Sequence, residues 1–339
     1  MVTRLVGTFG GLLLLAAAGT FAPGRHRGEA AAVAEGVAPL RVGLVFDVGG
    51  RGDKSFNDAA YAGLLRAQRE LGAAVDILEP LGSEDREAAL RLFAAQGMDL
   101  VVGVGFIFSS DILAVARDYP SVRFACVDFA PAAGALLPNV AGLTFRDEEG
   151  AFLVGAVAGQ LTKTGRVGFV GGMVNPLIQR FALGYEAGVR AVCDACTVHI
   201  GYAGATPDAF RDPARGNAVA TSQLAQGADV LFHAAGATGH GVFEAAREAG
   251  ALAIGVDADQ HDEMPGTVVT SMIKRADVVV FEAVREVRQG RFAPGLRVFG
   301  LREGAIDYVK EGPHAAGLPA AVRSRFDAPV SVSRRIQAD

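Results

Sequence analysis

Residues 46–58 read FDVGGRGDKSFND and concentrate more potential chemistry than any other stretch of the chain. Asp47 follows the apolar run RVGLVF, and Gly49, Gly50 and Gly52 let the next residues bend sharply and approach a ligand closely. Asp53 or Ser55 can cap a following helix, which puts Phe56 and Asn57 in its first turn on the same side as Asp47. An ordinary capped loop accounts for the glycines and the serine. It does not account for an aromatic and a carboxamide side by side in the first turn, a pairing suited to stacking and directional hydrogen bonding.

Two more carboxylates stand at the ends of apolar runs, Asp128 in FACVDF and Asp257 in AIGVDADQHDE. Singly, each reads as a cap or turn residue. With Asp47 they make three at the carboxyl edge of one type of element, where open parallel sheets bind ligands. Carboxylates there accept paired hydrogen bonds from vicinal hydroxyls or from ring N–H groups. Lys274, after VVTSMI, is placed to donate to a hydroxyl or to pair with Asp257, and the loop Gly236–Gly241 brings backbone N–H groups to a helix start.

Other chemistries lack their patterns. VGVGFIFSS, FVGGMVNP and HAAGATGHG each miss the dinucleotide and P-loop fingerprints. His233, His240 and His261 have no accompanying GxSxG elbow, HExxH helix or Cys–His pair, so no catalytic residue is assigned. The cluster Asp257, Asp259, His261, Asp262, Glu263 departs from EF-hand spacing and reads as a solvated loop. No metal and no cofactor are expected.

These residues need a scaffold of alternating strands and helices. From Pro39 onward, short Val/Leu/Ile runs alternate with amphipathic segments, the signature of parallel strands joined by helices. The expected strands begin at 41, 75, 100, 123, 140, 166, 197, 230, 251 and 267, and the fold class is α/β, two doubly wound Rossmann-like lobes with a hinge. The first crossing between lobes is expected near Phe145–Glu149. The strand and helix of Val268–Arg288 are too few for a unit of their own and are assigned back to the first lobe. The expected division is residues 1–38 signal and linker, 39–147 plus 258–290 lobe 1, 148–257 plus 291–315 lobe 2, and 316–339 a C-terminal tail.

The 339 residues are half hydrophobic, with 32 Lys and Arg against 37 Asp and Glu, a formal charge of −5. Neither this balance nor any dense basic run suits nucleic acid. Arg4 precedes an uncharged stretch, Leu5–Ala22, followed by small residues with Ala30 and Ala32 in a cleavage frame, the layout of a secretory signal. Retention of that stretch as an anchor is the alternative, and cleavage leaves the mature chain more acidic. The 3 cysteines, Cys126, Cys193 and Cys196, lie far from it, so no lipobox Cys is present. The C-D-A-C pair follows a helical pattern, which favours a helix-end disulfide or two inert thiols over a redox site.

The successive motifs FDVGGRGDKSFND, VVGVGFIFSSDI, FACVD, TFRDEEGAFLVGAVAG, GRVGFVGGM with RFALGYEAGV, and IGVDADQ with TSMIKRAD resemble, in order over residues 40–290, those of the basic membrane protein family. That resemblance implies a type I periplasmic binding protein fold and a nucleoside-binding, substrate-binding component of an ABC importer. It implies that Phe56 and Phe181 sandwich a purine ring and that Asp47 and Asn57 read its edge. Asp128, Gly236, Asp257 and Lys274 would then lie around base and ribose. The partners so implied are a small-molecule nucleoside and a membrane permease, with no nucleic acid, and the protein is expected to be a monomer, periplasmic or extracellular. Family members are often lipoproteins, a departure here. A sensor presenting its closed form to a membrane receptor, and a nucleoside-hydrolysing enzyme on the same scaffold, are the alternatives. Dispersal of the polar residues over both lobes disfavours the enzyme.

Overall fold

The computed structural model describes residues 38–80, 85–130 and 136–319. The expected signal and all but the first four residues of the expected tail lie outside them. In chain order the strands are β1 (Arg41–Val45), β2 (Ala74–Leu78), β3 (Leu100–Val104), β4 (Arg123–Val127), β5 (Val140–Phe145), β6 (Arg166–Met173), β7 (Thr197–Gly204), β8 (Val230–Ala234), β9 (Leu252–Gly255), β10 (Val268–Lys274), β11 (Gly295–Phe299) and β12 (Ile306–Tyr308). The helices are α1 (Phe56–Leu71), α2 (Asp85–Ala95), α3 (Ser109–Asp118), α4 (Asp147–Leu161), α5 (Pro176–Val192), α6 (Pro213–Ala225), α7 (Gly239–Ala249) and α8 (Ala276–Arg288).

The strands form two six-stranded sheets, ordered β11-β5-β4-β3-β1-β2 and β12-β10-β9-β8-β6-β7. All pairings are parallel except β10 with β12, and the shared order places a switch point beside β1 in one sheet and beside β6 in the other. The central strands of each sheet are covered on both faces and read as continuous apolar runs, whereas the edge strands β2, β7 and β11 are partly exposed. In β3, Leu100, Val102 and Val104 face one core and Val101 the other. The first of these cores is continuous between the lobes, reaching Phe169, Phe232 and Met272 of the second sheet.

The assignment of residues 258–290 to the first lobe is corrected for the part through β10 and stands for α8. Strand β10 belongs to the second sheet, in register with β9, and its Met272 packs where α4 offers only Gly150. Helix α8 lies on the first lobe as expected, with its Asp277 carbonyl against Gly63 of α1, where any Cβ would collide. Strand β11, assigned by sequence to the second lobe, pairs with β5 in the first, and β12 returns to the second. The chain therefore crosses between β5 and α4, between β10 and α8, and between β11 and β12. The expected first crossing, near Phe145, coincides with the first of these. Cys193 and Cys196 are joined as a disulfide between α5 and β7, and Cys126 is buried in β4.

Candidate functional site

The carboxyl edges of the two sheets face each other across a cleft with about 570 Å³ of space free of protein atoms, its mouth included. All eight residues singled out by sequence line it: Asp47, Phe56, Asn57, Asp128, Phe181, Gly236, Asp257 and Lys274. They converge because each sits at the carboxyl end of a strand or in the first turns of the helix that follows.

The loop after β1 is held by Asp53, whose carboxylate accepts from the backbone N–H groups of Ser55 (3.0 Å), Asn57 (2.9 Å) and Asp58 (3.1 Å). Of the two expected caps, Asp53 is therefore the one used, and Ser55 is released for another role. The Asn57 carboxamide lines the cleft but is engaged within the loop, accepting from Asp47 N–H at 3.2 Å and donating to Asp53 at 3.0 Å. It positions Asp47 as well as facing the cavity. Gly105 is needed behind Asp47: its φ is +109°, and a Cβ there would strike the Asp47 carboxylate.

Asp128 and Asp257 occupy matching places after β4 and β9, and both adopt the left-handed region, with φ of 61° and 67°. Outside glycine this conformation costs energy and tends to persist where the surroundings impose it. Burial pushes the Asp257 carboxyl up to about 7 against the pull of Lys274 and a Ser55 hydrogen bond, and pushes Asp47 up to about 7 against its hydrogen bond from Val48. Burial likewise raises Asp128 to about 6, with Lys274 the strongest opposing influence.

Lys274, the last residue of β10, is 2% exposed. Its Nζ lies 2.7 Å from Asp128 and 2.9 Å from Asp147, the first residue of α4, rather than on Asp257 as the sequence suggested. Burial alone would depress the ammonium, but the three aspartates around it hold it above its ordinary value. The same nitrogen lies 5.2 Å from the Phe56 ring centre and 5.4 Å from that of Phe181, so aromatic faces from both lobes flank the charge. Phe181 is positioned by α5, whose start is fixed by Asn175 accepting from Ile178 N–H and by Pro176 in the first turn. Asp128 Oδ1 is buried without a protein hydrogen-bond partner.

Sequence reasoning missed several contributors. Phe106 and Phe210 come from opposite lobes and meet edge to face at 6.3 Å over the cleft. Phe106 was quoted within VGVGFIFSS, but periodicity does not separate it from Phe108, which is fully buried in the core. Asp147 reads only as an acid in a helix's first turn. Its role appears once β10 brings Lys274 beside it.

A family model for ABC transporter substrate-binding proteins, Bmp, PnrA-like, matches residues 40–316. The chain belongs to the Bmp family. An uncharacterized lipoprotein of Pyrococcus horikoshii is 36% identical over 279 residues, covering 79% of this chain and 68% of its own. Basic membrane protein A of Borreliella burgdorferi is 32% identical over 275 residues, covering 80% of this chain and 79% of its own. An ABC transporter solute-binding protein of Aeropyrum pernix superposes with a TM-score of 0.75 at 34% identity, covering 88% of this chain and 85% of that one. A second, from Conexibacter woesei, gives 0.67 at 27% identity, covering 88% and 96%. These neighbours have the type I periplasmic binding protein fold, and this chain shares it. The family is one of extracytoplasmic solute-binding proteins rather than enzymes. Among the described residues no helix is long and apolar enough to cross a membrane.

Proposed function

We propose that this Bmp-family chain captures a nucleoside, a purine nucleoside first, between its lobes and delivers it to an ABC import permease. The observation that carries this reading is the cleft's composition: Phe56 and Phe181 from opposite lobes, with Asp47, Asp128 and Asp257 beside them. Aromatic faces stack on bases with about 1 to 3 kcal/mol per base. Buried carboxylates accept from ring N–H groups and from the paired hydroxyls of a ribose. In this reading Phe56 and Phe181 hold the base, Asp47 and Asn57 read its edge, and Asp128, Gly236, Asp257 and Lys274 surround the sugar side. The protein acts as an exported monomer, freed from its N-terminal segment, that meets its permease outside the cytoplasmic membrane.

Mass spectrometry of small molecules released from freshly purified protein tests the ligand class directly. A nucleoside in the released fraction is expected. Binding to the folded state alone raises stability by about 2.7 kcal/mol at a hundredfold excess over the dissociation constant. If inosine, guanosine, adenosine and the pyrimidine nucleosides all leave the melting temperature unchanged, the nucleoside assignment fails. Sequencing the N-terminus of secreted protein should find a start between Phe21 and Ala38, and an intact Met1 in the membrane pellet would contradict export with cleavage.

A further inference from the structure

His233 is the one polar residue of β8, VLFHA, and its side chain is fully buried. Along the strand it alternates with Phe232 and Ala234 of the core shared by both lobes, so it faces the second lobe's own core together with Leu231. Its ring meets Phe243 of α7 edge to face at 4.9 Å. A Cβ at Gly239 would strike the imidazole, so the glycine that opens α7 makes its seat. His233 is not among the residues that line the cleft, yet one side chain separates it from a contact between the lobes.

That side chain is Gln260, on the segment between β9 and β10. Its backbone N–H donates to Ser271 Oγ at 3.0 Å, and a Cβ at Gly255 would crowd its carboxamide. Oε1 lies 2.8 Å from Val256 N and 3.2 Å from His233 Nε2, while Nε2 lies 3.1 Å from the Lys54 carbonyl oxygen of the first lobe. A backbone N–H only donates and a carbonyl only accepts, so the amide has one orientation, with its NH₂ toward the other lobe. His233 must then donate from Nε2. The other tautomer would set a lone pair against Oε1 and bury an N–H at Nδ1, which has no partner. Burial holds the imidazole down to about 3 against the raising effect of the Gln260 bond, and His240 adds to the lowering, so the ring is neutral at physiological pH.

We propose that His233 is a positioning residue for lobe closure: by donating to Gln260 Oε1 it holds the carboxamide with its NH₂ on the Lys54 carbonyl, and so fastens the lobes from within the second one. Without that second donor the oxygen is held by Val256 N–H alone, and the long glutamine side chain regains rotamer freedom at the expense of the contact between lobes. Only closed molecules enclose a ligand, so apparent affinity scales with the closed fraction, whatever the ligand is. His233 thus acts on capture without touching what is captured.

The first measurement needs no substitution. In full-length protein labelled with ¹⁵N-histidine and dialysed free of small molecules, the His233 ring should appear as the neutral Nε2–H tautomer from pH 8 to pH 5. An Nδ1–H tautomer, or a ring that takes up a proton in that range, overturns the proposal. Small-angle scattering of the ligand-free protein then reads closure. His233→Phe, which keeps a ring but no donor, and Gln260→Ala should each lower the ratio of closed to open molecules about two- to tenfold, the loss of one neutral hydrogen bond, and enlarge the radius of gyration. Combining them should do no more than Gln260→Ala alone, and His233→Gln, whose amide donates from the place of Nε2, should return the parent value. Melting curves check that each variant folds. If either single variant scatters as the parent does, or if the two substitutions add, His233 does not act on closure through Gln260 and the proposal fails. These readouts use no ligand, so they stand apart from whether the cleft takes a nucleoside.

Discussion

Ser55, at the head of α1, donates its hydroxyl proton to the Asp257 carboxylate beyond the end of β9, joining residues 202 positions apart across the cleft. Two further bonds span the same gap: Gln260 Nε2 to the Lys54 carbonyl at 3.1 Å, and Lys274 Nζ to Asp128 at 2.7 Å. Each has one partner in each lobe. The lobes are thus fastened by groups that also face the ligand space, so closure and binding draw on the same carboxylates. Asp257 keeps its second oxygen for an entering donor while the first remains on Ser55.

Ser55→Ala should therefore loosen the closed form without touching the aromatic faces. A hydrogen bond to a charged group contributes about 1.5 to 3 kcal/mol, so affinity for the nucleoside should fall about tenfold or more. Small-angle scattering of the ligand-free variant should give a larger radius of gyration than the parent. Identical scattering and affinity would mean that the bond does not hold the lobes together.

The buried Asp257 carboxyl makes stability depend on pH. Its folded value, about 7, stands above the ordinary 3.8 because burial disfavours the charge. The unfolded chain releases that proton near pH 4, while the folded protein keeps it to about pH 7. Stability from this group is therefore full below about pH 4 and lost as pH rises to about 7. Asp257→Asn cannot titrate, so its stability relative to the parent should climb between pH 4.5 and 7.5 and then level off. Urea unfolding of both ligand-free proteins at intervals across that range measures it. A constant difference would show that the carboxyl titrates alike in both states.

Much of this site was legible in sequence because parallel strands end where ligands bind. Asp47, Asp128 and Asp257 each terminate an apolar run, and that alone brought them to one cleft. What periodicity does not carry is which sheet a strand joins. The pattern VVTSMIK announces β10, but its place beside β9 is set by packing of Met272 against Gly150, a contact with no sequence signature. Strand β11 was missed because its residues alternate between partly buried and exposed at a sheet edge, giving a weak apolar run. For the same reason Asp147 went unnoticed, since only the placement of β10 reveals its partner.

The ribose and base readings separate by mutation. A carboxylate that accepts two hydroxyl hydrogen bonds in a dry site leaves both unsatisfied when removed. Asp257→Ala should thus weaken guanosine binding about tenfold to a hundredfold and leave guanine binding much less affected. Phe56→Ala removes stacking common to both ligands and should weaken both alike. Calorimetry with the two variants and the two ligands decides. Equal losses for guanosine and guanine in Asp257→Ala would remove this residue from the sugar.

Lys274 gives the most severe expectation for stability. Its ammonium, 2% exposed, answers the Asp128 and Asp147 carboxylates, 5% and 0% exposed at their side chains. Lys274→Met keeps the apolar stem between Phe56, Phe145 and Phe181 but strands the Asp128 carboxylate and leaves Asp147 to Arg180 alone. Breaking a buried pair from one side costs about 3 to 5 kcal/mol. The cost should be largest at pH 8 and shrink toward pH 5. Without the lysine, the chief influence pulling Asp128 down from its burial-raised value is gone, and its carboxyl takes up a proton instead. Adding Asp128→Asn to Lys274→Met removes one stranded charge and should recover stability at pH 8, where Asp128→Asn alone should not stabilise. Urea unfolding of the four proteins at pH 5 and pH 8 closes the double-mutant cycle. If the two substitutions simply add at pH 8, the ammonium and the carboxylate are not coupled, and the cleft's charge balance must be held by Asp147 and Arg180, which lie 3.3 Å apart.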